Sequence, residues 1–401
     1  MLAIAVRVAQ RMGLDNDFEL AKCSPLEAEL RRRLWWSLTM FDNRMCEMSH
    51  HGSTSMLPTW QCRSVLNVND ADLLTDSKTT PQAHERPTEA IFAVVRSEVS
   101  NFARDSAFHL SFTNPALIPL AKDAHLDDAQ RQARLIDFEE SIERNHLRLC
   151  NPDDPLHCMT IWSTRTLLAR LHVLQYYATS ARHRTQVTGE QRDNAAWHAM
   201  RMIECDTNLA NAPMLLGFSW HVYAHFPAIA YIHIVQDLRK RPTHQHAQRC
   251  WSMLNENFVA RFRDMHPDMS PFFDVLSKVL LQAWDGYEAA FAQSGQSVNV
   301  PSIVEYVRRK ASEKQQRRQS MKSDVTHMAG MSNAGGAAPS QAPYSMPTMS
   351  FGGGLPPTVS QGFGGFPDLS GEDGMGFDLS QFDISTMDWN PLLALGGSYS
   401  Q

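Results

Sequence analysis

The 401-residue sequence predicts an all-α chain, a multi-helix domain followed by a disordered C-terminal tail. Three observations predict it. Apolar residues recur at three- and four-residue spacing in one segment after another, the mark of helices with one buried face. Period-2 alternation never extends beyond a few residues, so strands are not expected. From Ser323 onward the composition turns to Gly, Ser, Pro, Met and Gln, which cannot bury enough apolar surface to offset the entropy of ordering.

The chain opens on a helix with Leu2, Val6, Ala9 and Gly13 on one face, Gly13 standing where a C′ glycine belongs. The apolar start carries Arg7 and lacks a small-residue cleavage site, so it reads as helix rather than secretory leader. A helix with no lead-in at Met1 points to an upstream segment or another chain as its partner.

Ser24 to Met48 is the most fully specified helix. Ser24 is placed as N-cap, Pro25 as first helical residue and Glu27 as the third member of a capping box. Leu30, Leu34, Leu38, Phe41, Met45 and Met48 form an apolar stripe expected to face the core. Glu27 with Arg31, and Glu29 with Arg33, are spaced as surface ion pairs. Trp35 and Trp36 point about 100° apart, which predicts a sandwiched helix with one indole in each flanking layer.

His50 to Trp60 reads as loop, and Leu66 to Pro87 as a turn-prone linker. Thr88 is placed to cap a helix with Ile91, Val95, Val99 and Phe102 on its apolar face. A charged helix over Asp127 to Cys150 stops at the NPDDP of residues 151–155. Further helices are expected over His157–Thr179, Asn194–Asn211, Met214–Leu238, Ala247–Phe262, Phe272–Gln293 and Ile303–Gln316. No apolar run is long enough to span a bilayer; Phe218 to Val235 is interrupted by His221, His225, Pro227 and His233.

Charge is uneven. The net charge is −6, and the residues after Lys322 carry seven acids and no Lys or Arg, which leaves residues 1–322 at +1. A near-neutral folded part is not built to grip phosphates by itself. The seven cysteines are irregularly spaced, which points to reduced thiols in cytosol or nucleus.

The ordered stretches AIAVRVAQRMGLDND (residues 3–17), PLEAELRRRLWWSLTMFDNR (25–44), LNVNDADL (66–73), FAVVRSEVSNF (92–102), HLRLCNPDDP (146–155) and FSWHVYAHFPAIAYIHIVQDLRKRP (218–242) carry a resemblance. Together with the Trp251 segment they resemble the regulatory middle homology region of fungal-specific transcription factors, proteins that usually carry a binuclear zinc cluster. The match covers residues 2–290, with Arg32, Arg33, Leu34, Trp35, Trp36 and Asp42 as its marker. Two positions depart: Gly52-Ser53-Thr54 stands where Gly-Arg-Pro is common, and Val65 where proline is common. No six cysteines share a short window, so the family's zinc cluster is not in this sequence.

The resemblance implies a nuclear, non-enzymatic transcription regulator controlling a biosynthetic gene cluster or metabolic genes. No cofactor is expected in this chain, zinc entering only if an upstream cluster is missing. DNA would be reached through that missing module or a partner, and a related factor could pair with it as a homo- or heterodimer. No membrane is involved. The corresponding organisation is a helical regulatory domain over 1–305, a basic segment over 306–322 and an acidic, aromatic tail over 323–401.

Other residue clusters were weighed against this. His244, His246 and Cys250 could ligate a metal but lack a fourth ligand; His50-His51 is weaker. Gly217 to His221 imitates half of a nucleophile elbow, without the second glycine or a preceding strand. His221, His225 and His233 suit core or boundary positions, and Arg31, Arg32 and Arg33 a paired, solvated face or an inter-helix ion pair. The basic run Arg308, Arg309, Lys310, Lys314, Arg317, Arg318 and Lys322 is a candidate nuclear-import signal, a DNA-backbone contact, or simply a solubilising helix end. In the tail, Phe377, Leu379, Phe382, Ile384 and Trp389 alternate with acids, the composition of an activation region that recruits transcription machinery or coactivators. Two other functions fit less well: a zinc-less protein that titrates a full-length relative, and a helical small-ligand sensor or enzyme.

Overall fold

The structure is a computed structural model that describes residues 1–48, 60–74, 79–183, 188–263, 271–293, 295 and 297–316. It is all-α. Among the described residues there is no strand, and the single β-type contact is an isolated bridge between Asn16 and Gln61.

Helix α1 (Leu2–Arg11) buries Val6 and Ala9 and is closed by Gly13 at φ +71°. A Cβ there would stand 2.8 Å from Glu19 Cβ, so both the backbone angle and the space require glycine. Helix α2 (Asp17–Leu20) is capped by Asn16, and α3 (Pro25–Met48) by Ser24, whose hydroxyl accepts from the Glu27 amide at 3.3 Å. Glu27 turns to Arg31 at 2.6 Å, so only half of the expected capping box forms.

Helix α4 (Ile91–Arg104) has Ala90 as its N-cap; Thr88 bonds the Ala90 amide from two residues upstream. Helix α5 (Ala107–Thr113) follows. Helix α6 (Asp128–Asn145) starts on a full Asp127–Gln130 capping box and ends short of Cys150 in a 3-10 turn. Helices α7 (Pro155–His183) and α8 (Gly189–Asn211) are longer than their apolar patterns suggest, α8 being set by a Thr188–Gln191 capping box.

The expected helix over 214–238 is divided into a 3-10 turn (Pro213–Phe218), α9 (Ser219–Ala224) and α10 (Ala228–Lys240). Pro227 lacks the N–H an unbroken helix would need and disfavours helical backbone before it. Helices α11 (Ala247–Phe262), α12 (Pro271–Gln293) and α13 (302–316) stand close to their predicted bounds.

The core lies where α7, α8, α10, α11 and α12 pack together. Helix α10 is buried on every side from Ala228 to Gln236, as a helix apolar all round must be. A polar seam runs through this core. Arg261 of α11 pairs with Asp206 of α8, Asn257 donates to Asp206 at 2.7 Å, and Tyr231 of α10 donates to Asn257 at 2.8 Å. No described helix is long and apolar enough to cross a membrane. Among the described residues, those up to Val307 belong to one compact unit and Arg308 to Gln316 to another.

Candidate functional site

Helix α3 carries Trp35 and Trp36, and its buried side is not the one its apolar spacing suggests. Leu30, Leu34, Phe41 and Met45 are exposed, Leu34 at 52%. The buried side is Glu29, Arg32, Trp35, Trp36, Thr39 and Asp42. The two tryptophans do not serve opposite layers. Both meet Trp60 edge-on, at ring distances of 5.3 and 5.1 Å, because Trp60 fills the wedge between two indoles 100° apart. Arg104 of α4 stacks on the Trp60 ring at 3.6 Å, and Trp36 Nε1 donates to the Arg63 carbonyl at 2.7 Å.

The expectation of a solvated arginine face fails at Arg32, which is 4% exposed. Its Nη1 donates to Glu29 Oε2 at 2.6 Å, and its Nη2 approaches Asp17 of α2 at 3.5 Å. Glu29, fully buried, also accepts from Arg33 Nε at 3.4 Å and from the Leu66 amide at 3.1 Å. Arg33 reaches on to Asp70 at 2.8 Å, so the arginines do hold inter-element ion pairs. Arg31 remains at the surface with Glu27. Asp42 is buried and partnered on the same side.

The segment after Leu66 is not a loose linker. Asn67 donates to the carbonyls of His84 and Arg86 at 2.7 and 2.8 Å and accepts from Thr88 Oγ1 at 2.8 Å. Val65, Val68 and Leu73 are buried beneath it. One side-chain amide thereby ties His84, Arg86 and Thr88 to a single point of the segment.

The histidines are structural. His221 and His233 are buried, His225 donates from Nδ1 to the His221 carbonyl at 2.9 Å, and His233 bonds Tyr177. Burial pushes His225 and His233 down to about 3, helped by neighbouring guanidinium and ammonium charges, so both stay neutral. Ser219 opens a helix rather than a strand-to-helix turn. His244 leans on Asp193 at 3.4 Å while Cys250 is buried, its thiol pushed up to about 12 by desolvation. Among the described residues no three potential ligands converge on a metal position. The six described cysteines are unpaired, as the sequence predicts.

Of the basic run, Arg308, Arg309, Lys310 and Lys314 lie on α13, with Glu313 engaging Lys310 at 3.2 Å. Arg317, Arg318 and Lys322 lie outside the described residues, as do His50, His51, Gly52 and the tail residues Phe377, Leu379, Phe382, Ile384 and Trp389. The signal sequence reasoning missed is polar: Glu29, Asn67 and Asp206 organise packing, and no apolar period marks them.

Over 98% of its length the chain is 41% identical to transcriptional regulator AacuB of Aspergillus aculeatus, spanning 54% of that protein. It is 40% identical to transcriptional regulator nsrM of Aspergillus novofumigatus, over 97% of this chain and 53% of the relative. The aurofusarin cluster transcription factor aurR2 of Gibberella zeae is 25% identical over 78% of this chain and 46% of its own length. The chain thus spans about half the length of the curated relatives it matches. No family model matches it, and no solved structure does.

Proposed function

We propose that this chain is the regulatory part of a fungal transcription regulator of the zinc-cluster type, acting on a biosynthetic gene cluster. The observation that carries this is the 41% identity sustained along 98% of the chain to a protein named as a transcriptional regulator. A near-neutral helical domain in which Arg32 and Arg33 of α3 are committed to Glu29 and Asp70 supports a role in transmitting regulation rather than in reading DNA. DNA reading is then supplied by a zinc cluster elsewhere in the protein or by a partner chain, and zinc belongs to that module. The middle homology region is the finer family assignment, made on the marker of α3 and on the LNVNDADL run.

Catalysis has no part in this proposal, and the nucleus is its place of action. Arg308, Arg309, Lys310 and Lys314 of α13, with Arg317 and Arg318 beyond them, are the import signal. Phe377, Leu379, Phe382, Ile384 and Trp389 are the surface offered to coactivators, as interleaved acids keep aromatic side chains solvated until a groove accepts them.

Tethering residues 1–401 to an unrelated DNA-binding module upstream of a reporter tests this. The intact chain should raise expression, and removal of residues 363–393 should abolish the rise. A reporter indifferent to that removal would mark the chain instead as a protein that titrates a full-length relative.

A further inference from the structure

Between α3, α4 and α7 lies a cavity of about 90 Å³, room for several waters or one small organic molecule. Arg44 of α3, Arg96 of α4 and Arg170 of α7 all line it, and its described lining includes no carboxylate. Arg96 is the unusual member. Its Nε faces Met40 Sδ at 3.4 Å, its Nη1 donates to His221 Nε2 at 2.9 Å, and its guanidinium carbon stands 5.1 Å from the Phe92 ring centre. Thioether, imidazole and aromatic ring are all neutral partners, while a desolvated cation calls for an anion.

The His221 and His225 imidazoles cannot supply one, nor do they add positive charge. Burial, and then the guanidinium charges of Arg96 and Arg44, hold His221 and His225 neutral, with Arg170 adding to the effect on His225. Burial likewise pulls Arg96 down to about 10, which leaves it fully charged at neutral pH. Val99, Leu171 and Leu174 give the cavity an apolar lining, and Asn43, Ser100 and His109 add neutral polar groups to the wall.

We propose that this cavity binds a small organic acid, its carboxylate on the Arg96 guanidinium and its apolar body against Val99, Leu171 and Leu174. A guanidinium presents paired N–H donors that match the two oxygens of a carboxylate, and Arg44 and Arg170 add a positive field around it. An occupant would tie α3, which carries the tryptophan marker, to α4 and α7, giving the helical domain a chemical input. The site stands on this geometry alone, whether or not the chain acts in transcription.

Benzoate serves as probe and benzamide as its uncharged shape match, titrated calorimetrically into the full chain at ionic strength fixed with sodium chloride. Benzoate should bind saturably and at least tenfold more tightly than benzamide, the ratio expected of a charge-assisted pair. Arg96→Gln should weaken benzoate at least tenfold, and Ser100→Phe, which fills the cavity from α4, should abolish binding while leaving the guanidinium in place. Equal binding of benzoate and benzamide, no saturable binding to the unaltered chain, or benzoate affinity unchanged in Ser100→Phe would each overturn the proposal. The first two comparisons need no variant, so misfolding of Arg96→Gln could not shelter it.

Discussion

Glu27 and Glu29 stand two residues apart on α3, each one turn from an arginine, and the structure predicts that they differ several-fold in what they contribute. Glu29 is fully buried and holds Arg32 at 2.6 Å, Arg33 at 3.4 Å and the Leu66 amide at 3.1 Å. Glu29→Leu leaves Arg32 buried with only the longer Asp17 contact, and removing one member of a buried pair costs about 3–5 kcal/mol. Glu27 faces solvent with Arg31, where such a pair contributes about 0.3–0.5 kcal/mol. At about 2–4 °C per kcal/mol for a domain of this order, Glu29→Leu should lower Tm by about 6–20 °C. Glu27→Ala should lower it by no more than about 2 °C on the same scale.

Thermal melts followed by helical circular dichroism and by tryptophan fluorescence read both, since Trp35, Trp36 and Trp60 cluster beside Glu29 on α3. The double variant Glu29→Leu/Arg32→Met should regain part of the loss, because neither charge is then left alone. Equal shifts for Glu27→Ala and Glu29→Leu, or a double variant worse than Glu29→Leu, would refute the buried network.

Acid should destabilise the fold from about pH 6.5 downward. Burial first, and nearby cations second, set His198, His225 and His233 at about 3 and His221 lower still, against an ordinary 6.5. Folded values below the unfolded one mean that the unfolded chain takes up protons the folded chain refuses, so stability is full above pH 6.5 and falls below it. Each group costs about 1.4 kcal/mol at pH 5.5, about 6 kcal/mol for the four. Burial would raise Glu139, but His172 and Arg201 override it and hold it at about 2, so its stabilisation persists through this window and fades only below about pH 4.5. Urea midpoints should therefore fall steadily from pH 6.5 to 5, and a flat profile would contradict the neutral buried histidines. On α3, Leu34→Gln should change stability by less than about 0.5 kcal/mol, whereas Trp36→Ala should cost about 3–5 kcal/mol. A large loss for Leu34→Gln in the same melts would restore the apolar stripe to the core.

Helix identities were legible because caps and breakers are local. The Gly13 stop, the Asp127 start and the bounds of α11 depend on a few neighbouring residues. Orientation was not legible on α3, where an apolar period and a burial period compete. The stripe through Leu30, Leu34, Phe41 and Met45 is regular, yet the interior takes Glu29, Arg32 and Asp42 because carboxylate and guanidinium satisfy one another there. The linker reading over Leu66 to Pro87 failed for a related reason. Asn and Asp favour turns locally, but Asn67 closes its turn around three distant backbone and side-chain partners that no local rule contains. The Arg96 cavity was equally hidden, since it joins residues from three helices far apart in sequence.

Transcript profiling after disruption of the gene tests the proposed action in transcription most directly. The prediction is a coordinated loss of expression across a contiguous set of biosynthetic genes, restored by the intact gene. Unchanged transcripts throughout the genome would contradict it.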